Sequence, residues 1–205
     1  MKRLFDLSVA AFAIVLLFPL LAAIAFLIKS DSSGPVFYRA KRAGLQRRPF
    51  IMLKFRTMLA NAEKMGGPST PCDDPRITRI GKLLRKHKLD ELPQLINVLR
   101  GEMSLVGPRP EVFSEVDTYS EEEQQLLSVL PGMTDWASLR FSNEGEILKG
   151  SADPHVAYRQ KIRPEKIRLG LRYVRERSLL MDFRILAHTV KIILLKSSPE
   201  RTAQN

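Results

Sequence analysis

Cysteine is all but missing from this chain. Cys72 stands alone among 205 residues, which rules out an internal disulfide and fits a reducing compartment. Histidine is scarce as well, and His87, His155 and His188 lie too far apart to suggest a histidine-based metal site. No G-x-x-x-x-G-K-[ST] run occurs, which excludes a P-loop kinase, and no recognition-helix or zinc-finger spacing is present. Repeats, low-complexity tracts and long Gly/Ser/Pro linkers are also lacking, so the length fits one domain with a core large enough to fold without staples.

Two further absences concern charge. From Leu7 to Ile28 there are 22 residues without an ionisable side chain, and Ser8 is the only polar one. As a straight helix that stretch covers roughly 33 Å, enough for a bilayer core. A cleaved signal peptide, with Lys2 and Arg3 leading and Ala23-Ile24-Ala25 at the cut, fits poorly because the apolar run continues through Phe26, Leu27 and Ile28. A single span and a re-entrant hairpin both remain. Pro19 removes a backbone donor just past the middle. Basic residues flank both ends, Lys2 and Arg3 before and Lys29, Arg39, Lys41 and Arg42 after. Positive flanks favour the cytoplasmic side, which a span satisfies once and a hairpin twice. Between Gly34 and Met58, meanwhile, seven Lys or Arg residues meet no acid. With a formal charge of +11 overall, the chain calls for an anionic partner: nucleic acid, phospholipid or a phosphorylated substrate.

What is present reads as a mixture of short strands and helices. After the turn Asp31–Pro35, Val36-Phe37-Tyr38 and Pro49–Phe55 are extended segments around Gly44. Gly66–Pro75 holds two glycines, three prolines and Asp73-Asp74, and reads as a surface loop. Thr78–Lys88 has helical spacing. A second helix starts near Asp90, with Leu92, Leu95, Ile96 and Leu99 on one face, and stops at Gly101. Asp117–Leu130 reads as an acidic amphipathic helix, with Glu121–Glu123 on a solvated face. A basic helix covers Pro164–Arg177. A last helix, capped by Asp182, runs to about Lys196 and is apolar over much of its circumference. It is too short to span and suits either the core or the headgroup layer. Trp136 suits core or interface.

The densest chemistry lies between Lys82 and Pro110. Arg85-Lys86-His87-Lys88 leads directly into Leu89-Asp90-Glu91-Leu92-Pro93-Gln94. Adjacent acids can hold Mg²⁺ and leave one carboxylate to attack phosphorus. The cations before them are expected to keep the attacking carboxylate ionised and to offset a diphosphate. A purely structural reading also fits, with Asp90 as an N-cap, Pro93 in the first turn and acids at the positive end of the helix dipole.

The longer pattern adds to this. Lys82-Leu-Leu-Arg85, Leu89–Gln94, Asn97-Val-Leu and Gly101–Pro110 together resemble the signature of the bacterial sugar transferase family, the monotopic polyprenyl-phosphate phosphoglycosyl transferases. The likeness extends to Lys2–Asp6, Gly34–Phe37, Lys54-Phe55-Arg56-Thr57-Met58, Pro131-Gly132-Met133-Thr134 and Asp182. It implies transfer of a sugar phosphate from a UDP-sugar to polyprenyl phosphate, with release of UMP, at the cytoplasmic face of the bacterial inner membrane. It implies Asp90 as nucleophile through a covalent aspartyl-phosphosugar, and Glu91, with Asp90 and the backbone near Arg85, as the Mg²⁺ site. Arg109, stiffened by Pro108 and Pro110, becomes a phosphate contact; Lys54, Arg56 and Arg85 are further candidates. The family's broken membrane helix also favours the hairpin, with its bend at Pro19.

Where many members have Gly-Trp-Ala-Gln, this chain has Asp135-Trp136-Ala137-Ser138, which bears on substrate choice. No large membrane domain precedes the motif, as in the minimal form of the family. A nucleic-acid-binding protein explains the charge but not the uncharged stretch. A non-catalytic membrane adaptor with a basic lipid-binding face explains both, yet leaves Asp90-Glu91 and Pro-Arg-Pro without a task. The expected fold is therefore α+β and mainly α-helical. Residues 1–30 form the re-entrant membrane helix and 31–205 a cytoplasmic catalytic domain with amphipathic interfacial helices on the bilayer.

Overall fold

A computed structural model describes residues 1–62, 65 and 69–196. Gly66–Pro68 of the expected loop and residues 197–205 of the expected catalytic domain lie outside the described residues, as do the side chains of Leu194 and Leu195.

The uncharged stretch forms one continuous helix, α1 (Lys2–Asp31), with Pro19 inside it. Its middle is bare: Phe12, Val15, Leu16 and Phe18 are each more than 60% exposed. Its two ends are fastened to the rest of the chain. At the start, Lys2 Nζ donates to Asp182 (2.7 Å) and Arg3 donates to the Val98 carbonyl (2.7 Å). Buried Asp6 accepts from Ser104 Oγ (2.8 Å). At the finish, buried Arg56 donates to the carbonyls of Ser32 (2.7 Å) and Ser33 (2.6 Å), and Asp31 accepts from Ile80 N (3.0 Å). Carbonyls that a helix C-terminus leaves open are thus filled by a guanidinium.

The expected extended segments pair as an antiparallel hairpin, β1 (Phe37–Ala43) and β2 (Pro49–Phe55), with Ala40 opposite Met52. Helix α2 (Arg79–Lys86) starts where Thr78 Oγ1 accepts from Gly81 N. A 3-10 turn over Leu89–Glu91 follows, then α3 (Gln94–Arg100), which ends at Gly101 with φ +85°, the left-handed cap that glycine supplies without strain. The chain is mostly helical, with two small two-stranded sheets among the described residues. The expected α+β class follows.

The second sheet was not legible beforehand. Strand β3 (Ser104–Val106) runs parallel to β4 (Gly132–Thr134). Each is three residues long, too short for a periodicity to show. Between them lies α4 (Phe113–Val116) and no long helix. The acidic helix expected over Asp117–Leu130 is replaced by a 3-10 stretch, Glu123–Ser128. Ser120 and Glu123 form a reciprocal capping box, with Glu123 N bonded to Ser120 Oγ and Ser120 N to Glu123 Oε2. Such a box opens a new helical turn and so breaks the run in two.

Helices α5 (Trp136–Arg140), α6 (Glu144–Ile147), α7 (Pro154–Lys161), α8 (Arg163–Glu176) and α9 (Leu179–Lys196) complete the described chain. Asp182 is no N-cap. Ser178 caps α9, its Oγ accepting from Met181 N, and Asp182 lies buried one turn in, holding Lys2 and the hydroxyl of Tyr173 (2.7 Å). Asp74, expected at the surface, is buried and gripped by the Arg76 guanidinium (2.6 Å). The main core joins Ala10 of α1 to Met52, Leu95, Val98, Val106, Tyr173 and Ile185, so α1 and the rest of the fold share one packed centre.

Main-chain atoms crowd each other where β3 and β4 meet. A Cβ on Gly107 would lie 2.6 Å from the Leu130 carbonyl oxygen and 3.0 Å from Gly132 N. Both are main-chain atoms that cannot swing aside. Gly107→Ala is therefore expected to cost about 1–3 kcal/mol or more, lowering Tm by about 2–4 °C per kcal/mol. Thermal unfolding in detergent checks this, and an unchanged Tm would show that the strands can part.

Candidate active site

The site is assembled by backbone devices. Lys88 adopts a left-handed conformation (φ 57°), ending the run from α2 and turning the chain into the 3-10 turn that carries Asp90 and Glu91. Asn97 of α3 then fastens this segment to the free edge of β2. Its Oδ1 accepts from Leu53 N (2.9 Å) and its Nδ2 donates to the Ile51 carbonyl (2.7 Å). A carboxamide thus pairs with a strand edge as a neighbouring strand would. The next residue on β2 is Lys54, and its Nζ reaches Glu91 Oε1 at 3.0 Å.

Arg109 arrives from the other sheet. Gly107 N donates to the Thr134 carbonyl (3.1 Å) and Gly132 N to the Pro108 carbonyl (2.9 Å), which holds the Pro-Arg-Pro segment against β4. The Arg109 guanidinium grips both Glu91 oxygens, with Nη1 to Oε2 at 3.2 Å and Nη2 to Oε1. Glu91 is therefore clamped between two cations. Asp90 is different: it is 7% exposed, and among the described residues its carboxylate takes no hydrogen bond.

These surroundings split the two carboxyls, where the sequence suggested that the attacking one would be held ionised. Burial works against charge on each. At Glu91 the opposing pull of Arg109 and Lys54 wins and holds the carboxyl well below its ordinary range. At Asp90 burial and the neighbouring Glu91 charge outweigh Lys54, Arg85 and Lys88, and the carboxyl is pushed up. Lys54 is pushed down, by burial first and Arg109 next, against the pull of Glu91. Arg85 is likewise lowered by burial, and its Nε donates to Thr57 Oγ1 (2.9 Å). Neighbouring carboxyls displaced in opposite directions mark a site built for unequal roles.

Lys54, Arg85, Lys88, Asp90, Glu91 and Arg109 all line one open cleft of about 2160 Å³. Arg56 borders it too, but its Nη1 and Nη2 are spent on the end of α1. Pro19 lies elsewhere, exposed in the middle of α1. Asp135 is buried as the N-cap of α5, accepting from Ser138 N (2.7 Å), while Ser138 faces the cleft with its Oγ unpartnered. Asn97 carried no role in the sequence reading; its place in a helix gives no sign that it reaches a strand edge.

For a divalent cation the donor set is two adjacent carboxylates, and no cluster of three acidic, histidine or cysteine side chains occurs among the described residues. That suits Mg²⁺, which takes one or two carboxylates and completes its shell with water and substrate phosphate.

The sequence model of the bacterial sugar transferase family matches residues 1–196. The chain is 38% identical over 196 residues to a UDP-N-acetylgalactosamine-undecaprenyl-phosphate N-acetylgalactosaminephosphotransferase of Aeromonas hydrophila, covering 94% of this chain and 43% of the relative. It is 33% identical over 202 residues to the uncharacterized sugar transferase EpsL of Bacillus subtilis (strain 168), covering 98% of this chain and 91% of that one. It is 38% identical to a UDP-glucose:undecaprenyl-phosphate glucose-1-phosphate transferase of Caulobacter vibrioides, covering 94% of this chain and 69% of the relative. The chain thus spans under half of the Aeromonas protein and nearly all of the Bacillus one. With the ordered motifs folded around one cleft and the match running through α9, this chain belongs to the bacterial sugar transferase family.

Proposed function

We propose that the chain transfers a sugar 1-phosphate from a UDP-sugar to polyprenyl phosphate, releasing UMP, as the first membrane step of glycoconjugate assembly. The observation that carries this is the unbonded, buried Asp90 carboxylate beside a Glu91 clamped by Lys54 and Arg109. The names of the relatives point to the same substrates.

In the first step an Asp90 oxygen attacks the sugar-bearing phosphorus, the bond to the UMP oxygen breaks, and an aspartyl-phosphosugar forms. In the second, an oxygen of polyprenyl phosphate attacks that phosphorus and the Asp90 carboxylate leaves. Neither step needs a proton removed from a hydroxyl, since both nucleophiles are anions. A desolvated carboxylate is the stronger nucleophile, and Lys54, Arg85 and Arg109 offset the charge of each phosphate as it arrives. Glu91 and Asp90 are the residues that would hold Mg²⁺, which supplies further neutralisation of the diphosphate. Arg109 and Lys54 occupy Glu91 here, so substrate phosphate competes with Glu91 for them.

The membrane reading is that α1, continuous but short of one backbone donor at Pro19, bends there within the cytoplasmic leaflet so that both its ends stay on one side. Both ends of α1 bond to one domain, Lys2 with Asp182 and Ser32 with Arg56. A helix crossing roughly 30 Å of hydrocarbon would put one of those ends out of reach. The exposed apolar middle supports immersion.

The test is UMP release from a panel of UDP-sugars with undecaprenyl phosphate and Mg²⁺ in detergent. Release should require lipid for turnover and fall at least about 10³-fold in Asp90→Asn and about 10²–10³-fold in Arg109→Lys. Activity surviving Asp90→Asn would remove it as nucleophile, and silence with every donor would favour an adaptor. The raised Asp90 carboxyl sets a second expectation. Only the ionised form attacks, so kcat/KM for the donor falls as pH drops through a value above the ordinary Asp range. Lys54→Met removes a charge that lowers this carboxyl, so the acid limb should move to higher pH. A limb that stays put would mean that Asp90 ionisation does not limit the rate. For topology, single cysteines placed at Met1 and Ser33 in a Cys72→Ser background should both label from the cytoplasmic side only; labelling of one from each side would establish a span.

A further inference from the structure

The cleft is larger than the roughly 300–1,000 Å³ that a single small ligand commonly occupies, and its two walls differ in chemistry. One wall is polar. Lys166 pairs with Glu144 (2.6 Å), and the Tyr158 hydroxyl donates to Glu111 (3.0 Å). A second part of the lining, from elements packed on one another, has no ionisable side chain: Met133 of β4, Leu139 of α5, and Leu186, Thr189, Ile192 and Ile193 of α9. The one hydroxyl on the α9 part of it is turned to the protein, with Thr189 Oγ1 donating to the Ile185 carbonyl and lying 2.8 Å from Thr134 Oγ1.

Helix α9 joins this wall to the outside. Leu186, Val190 and Ile193 follow one stripe at i, i+4 and i+7. Leu186 and Ile193 line the cleft, whereas Val190 is 56% exposed and Phe183, a turn earlier, 51%. Phe183 in turn packs edge-on against Phe5 of α1, with ring centroids 4.9 Å apart. The apolar exterior of α1 therefore passes over α9 and into the cleft without a charged interruption along that stripe. Arg39 and Lys41 of β1, both exposed, line the same space, with Lys54 and Arg109 half-buried in it. The groove has an apolar side and a cationic one, and it ends at a carboxylate.

We propose that this α9 wall is the groove for the isoprenoid chain of the lipid acceptor. The first isoprene units lie between the β4–α5 segment and α9, and the phosphate is drawn inward past Lys41 to Lys54 and Arg109. The polar wall is left to the water-soluble donor. The occupant is an isoprenyl phosphate, because only a ligand with an apolar chain on one side and a dianionic head fits an apolar wall that opens on the membrane surface and closes on cations. This rests on the acceptor being polyprenyl phosphate, as argued above.

Thr189→Trp, which fills the groove, and Leu186→Gln, which makes it polar, test the assignment against Leu186→Met as the conservative control. Two readouts separate the substrates. Without lipid, the UDP-sugar should give a burst of UMP equal to the enzyme present, unchanged in all three variants. With lipid, the KM for undecaprenyl phosphate should rise roughly tenfold or more in Thr189→Trp and Leu186→Gln. That factor corresponds to losing about two methylene groups of apolar contact. The KM for the UDP-sugar should stay constant, and the preference of the wild type for the undecaprenyl over a geranyl acceptor should shrink. A burst missing from the wild type would overturn the covalent reading itself. A normal burst with lipid KM and chain-length preference unchanged in the variants would overturn the groove, as would a loss of burst and lipid use together.

Discussion

The pairing of the Asn97 carboxamide with the edge of β2 is the contact on which the site depends. Among the described residues it is the link that sets α3 in register with the hairpin at both a donor and an acceptor of the strand. Lys54 is the next residue along β2 and Glu91 lies just ahead of α3, so this register brings ammonium and carboxylate together. Asn97 is wholly buried, and a half-made bond there would leave a desolvated amide costing about 1–3 kcal/mol. The geometry is accordingly all or nothing. Since α1 packs along α3 through the same core, the placement of this apolar helix is tied to the same segment.

Charge is distributed by a simple rule in this chain: acids that go inside take basic partners with them. Glu115 is buried among Arg159, Arg163 and His155, Asp182 with Lys2, and Asp74 with Arg76. Buried ions left single are costly, so each pairing removes a charge that would otherwise oppose folding. Asp135 takes a backbone partner instead, Ser138 N at the start of α5, whereas Asp90 has neither. It is buried without a bonded partner, and the cations nearest it are already held by Glu91 or Thr57. An uncompensated carboxyl is tolerated where a substrate or cation is meant to meet it.

The elements that could be read in advance are those with a local cause. Thr78 and Gly101 mark helix ends through capping chemistry that acts over a few residues, and the long uncharged stretch needs nothing beyond its own composition to be helical. The misreadings share a different origin. Asp182 has the residue type of a cap, but Lys2 lies 180 positions away and claims it instead. The acidic stretch after Asp117 has helical spacing, yet the Ser120–Glu123 box and the pull of Arg163 on Glu123 cut it short. Strands β3 and β4 are each too brief to signal themselves and exist because they meet.

By itself, then, the sequence determined the membrane-seeking helix, the basic surface beside it, the hairpin and the family motifs, because composition, periodicity and capping act on neighbours in the chain. Tertiary structure alone decided which of two adjacent carboxyls is clamped and which is left free. Arg109 and Lys54 reach Glu91 from two separate sheets, and burial then acts on Asp90 without a counter-ion to match it. The same holds for the partition of the cleft into a polar and an apolar wall, which exists only once α9 has folded back across β4 and α5. Desolvation and long-range ion pairing depend on what surrounds a group in space, and no window of consecutive residues contains that information.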